Sequence, residues 1–183
     1  MTDNTLPLLP IQDMSQRHHA LTPPVAGSYL EAARVCLDRH HISPKEFTLE
    51  NDKLESVAKV EWELTDDRTQ AAWANTDDAT RDGAYALAIA ATELLRGMVA
   101  VRRAQTRTGA DYYIAPIDRD LEDLESHFRL EVSGTDLGKS QVKKRLIEKL
   151  EQAKKGRCNL PALAAVVGFK VQLILIQTVD ETS

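Results

Sequence analysis

Gly109-Ala110-Asp111-Tyr112-Tyr113-Ile114 and Arg129-Leu130-Glu131-Val132-Ser133-Gly134, followed by a basic segment reaching Gln152, decide how this chain reads. Between Phe128 and Ser133 apolar and polar residues alternate strictly, which predicts a strand with Phe128, Leu130 and Val132 on one face and Arg129, Glu131 and Ser133 on the other. A carboxylate in the middle of such a strand is costly unless water, a cation or a partner meets it. Asp111 stands at the corresponding place near the start of a second short apolar strand. In the basic segment Arg145, Lys149 and Gln152 are spaced i, i+4, i+7, so a helix puts them on one face. Two carboxylates beside a cationic helical face are the ingredients of a site for a divalent metal and a phosphate.

Outward from this stretch, the expected order is regular. Ser140–Lys155 predicts the basic helix, stopped at Gly156, and Leu163–Phe169 with Val171–Gln177 predict buried apolar strands, the second a hairpin partner or a continuation of the first. Upstream, a long helix is expected from Asp78 or Thr80 to about Arg103, its alanine-rich centre (Ala84–Ala91) suited to close packing on a sheet. Glu93 stands at the edge of its apolar face, where a solvent-facing residue is the plain reading. The acidic connection Pro116–Glu125 lacks the glycine of a calcium loop and reads as a solvated link.

Nearer the N-terminus, Ser56–Leu64 alternates as a half-exposed strand, and Glu46–Leu49 as another. Ser28 and Glu31 have the spacing of a capping box for a helix through about Arg39. Residues 1–24 hold four of the seven prolines and are expected as an irregular arm, with 25–183 a single α/β domain whose core spans about 80–177. The pairs His18-His19 and His40-His41 have no third ligand at useful spacing and read as surface histidines.

The totals bound the function. With 43% hydrophobic and 28% charged residues over 183 positions, the chain can bury a core of its own. No apolar run is long enough to span a membrane, and the N-terminus lacks a secretory pattern, so a cytoplasmic location is expected. Cys36 and Cys158 allow one disulfide, although two reduced thiols fit that location better. A net charge of −5 argues against non-specific coating of nucleic acid but leaves room for a local basic groove. No phosphate-binding glycine loop, Ser/His/Asp triad or CxxC pair points to a small-molecule enzyme.

The order of long helix, Asp111 strand, Glu131 strand, basic helix and apolar strand resembles the PD-(D/E)xK nuclease superfamily over roughly 80–177. The resemblance implies an α/β fold with a central mixed sheet flanked by helices: a restriction-endonuclease-like core with N-terminal helix and strand additions. It implies Asp111, Glu131 and Glu93 as ligands of Mg²⁺ or Mn²⁺, with Lys149, Gln152 and Arg145 serving catalysis on DNA or a related nucleic acid. Ala110 stands where the pattern has proline. Ser133 stands where it has lysine, and Lys149 on the following helix is the residue able to supply that charge. The competing reading gives Asp111 and Glu131 plain structural roles, Glu131 pairing with Arg129 or Arg145. A second class of function is an inactive nuclease-like fold that binds a protein partner as a regulator, immunity factor or antitoxin, with the acidic net charge, Ser133 in place of lysine, and Trp62 and Trp73 as exposed apolar surface in its support.

Overall fold

The computed structural model describes residues 5–118, 122–156 and 158–180. Asp120 of the acidic connection, Arg157 beyond the basic helix and the last three residues lie outside them. Among the described residues seven strands form one mixed sheet. They are β1 (Lys45–Asn51), β2 (Leu54–Val60), β3 (Met98–Arg103), β4 (Tyr112–Pro116), β5 (Phe128–Thr135), β6 (Ala162–Gly168) and β7 (Leu173–Thr178). Their order is β2-β1-β7-β6-β5-β4-β3. β3, β4 and β5 form an antiparallel meander, β5 and β6 are parallel, and β6 and β7 form an antiparallel hairpin. This is the α/β architecture with a central mixed sheet and flanking helices expected from the sequence.

A short helix α1 (Met14–Arg17) precedes α2 (Pro23–Asp38), α3 (Asp67–Ala72), α4 (Thr76–Arg96) and α5 (Lys139–Lys155). No described helix is long and apolar enough to cross a membrane. The principal core lies between the sheet and the layer formed by α2 and α4, and α5 covers the other face. β6 is buried at all seven positions because it has helices on both sides. Leu163, Ala165 and Val167 join the α4 core, while Val166 meets Val142 of α5. A strand buried on two faces needs an unbroken apolar run rather than alternation, which is how Ala162–Gly168 reads.

Glycine and alanine let α4 sit deep. A Cβ on Gly83 would lie 2.9 Å from the Ala33 backbone of α2, and one on Gly134 of β5 would lie 2.7 Å from the Ala84 side chain. α4 begins with the Asn75 side chain accepting from the Asp77 and Asp78 N–H groups at 3.0 and 3.1 Å.

Four local expectations are corrected. α4 ends at Arg96, not near Arg103, because Gly97 takes the left-handed cap conformation at φ 61° and closes the helix. Val99 and Val101 then lie on one side of β3, as β-branched residues favour in a strand. α2 starts at Pro23, where the fixed φ of proline suits a first turn, and Ser28 lies within the helix. Glu31 caps nothing, since its carboxylate accepts from the Trp73 indole N–H at 2.8 Å. Trp62 is buried, donating to Asp38 at 2.7 Å, and Trp73 is partly buried against the core, so neither is the exposed apolar surface expected for a partner.

The N-terminal arm is also more ordered than its prolines imply. It buries Leu9, Ile11, Met14 and Leu21. It bonds to both outer strands, through Leu9 N–H to the Lys59 carbonyl at 2.9 Å and Ala20 N–H to the Ala100 carbonyl at 3.0 Å. An open strand edge invites pairing with another chain, and the arm occupies part of each edge here.

Candidate functional site

Glu131 sits in β5 on the face turned to α5. Crossing from β5 through α5 to the parallel strand β6 lays the helix over this face, and Lys149 reaches down from its middle. The Lys149 ammonium donates to Glu131 Oε1 at 2.8 Å and to Gln152 Oε1 at 2.9 Å. The i, i+3 spacing of Lys149 and Gln152 makes that second contact possible. Burial raises the Glu131 pKa above its ordinary value, and the charge of Asp111 adds to the effect. Lys149 and Arg103 pull the other way. The hydrogen bond to Lys149 is the largest effect favouring the ionised form.

Asp111 lies just before β4. Its Oδ2 accepts the Val132 N–H at 2.8 Å and its Oδ1 accepts the Tyr85 hydroxyl at 2.8 Å. The first bond satisfies a β5 amide, and the second ties Asp111 to α4. Tyr85 in turn stacks on Tyr29 at 4.9 Å and meets Tyr112 edge-on at 5.7 Å. Burial and the Asp111 carboxylate both raise the Tyr85 pKa, which keeps its hydroxyl a proton donor. Arg103, at the end of β3, lies over the Tyr85 and Tyr112 rings.

Asp111 stands between two openings. One cleft of about 570 Å³ is lined by Arg103, the loop from Ala104 to Ala110, Glu131, Gln152 and Lys155. The other, of about 600 Å³, brings Arg145 and Lys149 together with Ser133 and Thr80. The wall between α5 and the Ala104–Ala110 loop is set by Arg129, whose buried guanidinium donates to the carbonyls of Thr108, Ala153 and Leu160 at 3.1, 2.9 and 2.9 Å. Gly156 lets the backbones touch here, since any Cβ would strike the Thr108 carbonyl.

Five of the six residues singled out in the sequence thus come together: Asp111, Glu131, Lys149, Gln152 and, along the second opening, Arg145. Glu131 pairs with neither Arg129 nor Arg145, because Arg129 is committed to backbone carbonyls. Glu93 is placed elsewhere. Two helical turns beyond Tyr85, it accepts from Arg17 Nε at 2.7 Å and contacts His18 Nε2 at 2.7 Å, pinning the arm to α4. Its proximity to the apolar face came from this docking and not from the site.

His18 is buried, not a surface histidine. Its Nδ1 accepts the Ala100 N–H at 3.0 Å, which leaves Nε2 as the proton carrier facing Glu93. Burial lowers its pKa below 6.5, against the pull of Glu93. The neutral ring's contribution to stability is present above pH 6.5 and fades as pH falls through the lowered value. His18→Gln is expected to destabilise the chain by about 1–3 kcal/mol at pH 8. It should also flatten the acid limb of stability between pH 7 and 5, read by urea unfolding across that range.

Tyr85 and Arg103 are the site residues that sequence reasoning missed. Arg103 read as the end of the long helix expected from Asp78 or Thr80. Recognising Gly97 as a cap and Val99/Val101 as a strand face puts Arg103 on β3, paired in register with Tyr112, the residue after Asp111. Tyr85 gave no signal, since an aromatic residue on an alanine-rich helix reads as core.

Among the described residues no group of three or more His, Cys, Asp or Glu side chains is arranged to hold a metal. The acidic donors in the site are the pair Asp111 and Glu131. Two carboxylates are a donor set that could hold Mg²⁺, an ion that keeps several waters and takes one or two carboxylates together with substrate phosphates. Burial, and after it the charge of Asp111, raises the Glu131 pKa, and a divalent cation beside the pair would offset both. No family model, curated protein or solved structure matches this chain, so the reading of its site rests on its own residues.

Proposed function

We propose that this chain is a metal-dependent phosphodiester hydrolase of the PD-(D/E)xK kind, acting on DNA or a related nucleic acid. The observation that carries the reading is the line Glu131, Lys149, Gln152, hydrogen-bonded at 2.8 and 2.9 Å, with Glu131 and Gln152 lining one cleft, Lys149 the other, and Asp111 lining both. The lysine that the pattern has on the strand is here supplied from α5, with Ser133 in its place. The order of α4, the β3-β4-β5 meander, α5 and the parallel strand β6 supports the same reading.

Asp111 and Glu131 would hold Mg²⁺ or Mn²⁺, which when bound polarises a phosphate and lowers the pKa of an attacking water. Glu93 is not among the proposed ligands. Lys149 places a positive charge beside the carboxylates, where it neutralises charge developing on a phosphate oxygen. Gln152, held by Lys149, orients a water or phosphate oxygen. Arg145 approaches from the second opening and positions substrate. Tyr85 and the Val132 amide fix the Asp111 carboxylate without consuming all of its acceptor capacity.

A thermal-shift titration with Mg²⁺, Mn²⁺ and Ca²⁺, on the parent chain and on Asp111→Ala and Glu131→Ala, tests this reading. The expected result is stabilisation of the parent that is lost in both variants, together with Mg²⁺-dependent cleavage of DNA by the parent alone. Variants that cut as well as the parent would refute the site. A parent that no metal stabilises and that cuts nothing would favour the same fold acting through a protein partner, for which Lys149 already satisfies Glu131.

A further inference from the structure

Arg103 is half-exposed yet fixed. Its side chain retains 51% of its accessible surface. Its guanidinium carbon lies 4.9 Å from the centroid of Tyr85 and 4.8 Å from that of Tyr112. One nitrogen donates to the Tyr85 hydroxyl at 3.2 Å, and the same nitrogen stands 3.7 Å from Asp111 Oδ1, too far for a hydrogen bond. A guanidinium has five N–H donors, and among the described residues this is its one hydrogen bond. An exposed arginine ordinarily samples many rotamers; here two ring faces hold the plane while most donors stay unspent. Arg103 borders the cleft that also receives Asp111, Glu131 and Gln152, and Arg107 and Lys155 line the same cleft.

Resting on the proposed hydrolase reading, we propose that Arg103 is a preorganised phosphate clamp of this cleft. It grips a phosphate of the nucleic-acid strand adjacent to the one presented to Asp111 and Glu131. The planar fork matches two phosphate oxygens at once, which a flexible ammonium does not. With Arg107 and Lys155 further along, the cleft is charged for a strand carrying several phosphates, not for a single phosphomonoester. Asp111 and Glu131 alone would repel such a strand, so a fixed cation beside them is what brings the backbone close.

The test is fluorescence anisotropy of labelled DNA oligonucleotides, single- and double-stranded, in Ca²⁺ over a series of salt concentrations, with the parent, Arg103→Gln and Arg103→Lys. Arg103→Gln is expected to weaken binding about tenfold and to lower the slope of log affinity against log salt by about one, as losing a phosphate contact does. Arg103→Lys should keep the slope and lose part of the affinity. Metal-induced thermal stabilisation should survive in both, because the two carboxylates remain. Unchanged affinity and slope in Arg103→Gln would overturn the clamp while leaving the hydrolase reading intact. Loss of the metal shift would also overturn it, showing that Arg103 acts by holding Asp111. A parent that binds neither oligonucleotide and cuts nothing overturns both. Should Arg103→Gln fail to fold, Arg103→Lys decides alone, and unchanged affinity there overturns the clamp.

Discussion

Lys149→Met is expected to abolish metal-dependent cleavage, by a factor of at least about 10², and to destabilise the fold in a pH-dependent way. The side chain of Glu131 keeps only 10% of its surface, and Lys149 holds it at 2.8 Å. Removing one partner of a buried pair leaves the other uncompensated, a loss of several kcal/mol when burial is complete. Lys149 keeps 21% of its surface, so solvent screens part of the charge and about 1–3 kcal/mol at pH 8 is the expected loss.

The pH dependence follows from the raised pKa of Glu131. A group that binds its proton more tightly in the folded chain stabilises the fold fully below its ordinary value of 4.5. It gives that contribution up as pH rises through the raised value. Without the lysine the raised value climbs further, so the difference between variant and parent should be small at pH 4 and grow towards pH 8. Urea unfolding at several pH values reads this directly. The double variant Glu131→Gln/Lys149→Met removes both charges and should recover most of the stability while remaining inactive. A single variant with a pH-independent loss would show that Lys149 contributes packing and not charge.

Gly83→Val should lower the melting temperature by roughly 6–12 °C, the equivalent of about 3 kcal/mol in a chain of this size. Replacing glycine in a helix interior ordinarily stabilises by about 0.5–1 kcal/mol, because glycine has the most backbone freedom to lose. At position 83 that gain is overridden. The first carbon of any side chain meets Ala33 Cα and N at 2.9 Å and the Ala32 carbonyl carbon at 3.1 Å, all backbone atoms that no rotamer change moves. Even Gly83→Ala is expected to destabilise by about 1–3 kcal/mol. Gly27 in α2 provides the control, since a Cβ there meets nothing within 4 Å and Gly27→Ala should stabilise slightly. If both alanine variants stabilise, α2 and α4 are not in backbone contact in solution.

Close approach of α4 to its neighbours was visible in Ala84–Ala91, since a face of small side chains has one use in a core. Period-two alternation in Phe128–Ser133 and the unbroken apolar run at Leu163–Phe169 likewise determined two strands, while the burial of Arg129 and Glu131 on the polar face of the first came from α5. The i, i+4, i+7 spacing of Arg145, Lys149 and Gln152 determined their shared helical face. These patterns are local: each depends on the repeat of one backbone conformation, which neighbouring residues carry within themselves.

Tertiary structure decided what lies at the other end of each contact. Glu93 and Glu131 are both carboxylates beside apolar surface, and only the path of the arm separates them. Arg17 and His18, remote in sequence, claim the first, whereas the crossover from β5 to β6 brings Lys149 to the second. Gly97 shows the same division at shorter range. Its left-handed φ ends α4, and only the pairing of β3 with β4 then sets Arg103 beside Asp111, over two tyrosines drawn from a helix and a strand. Spacing specifies which residues share a face. Which face meets which is settled by closing loops whose ends carry no mark of one another in the sequence.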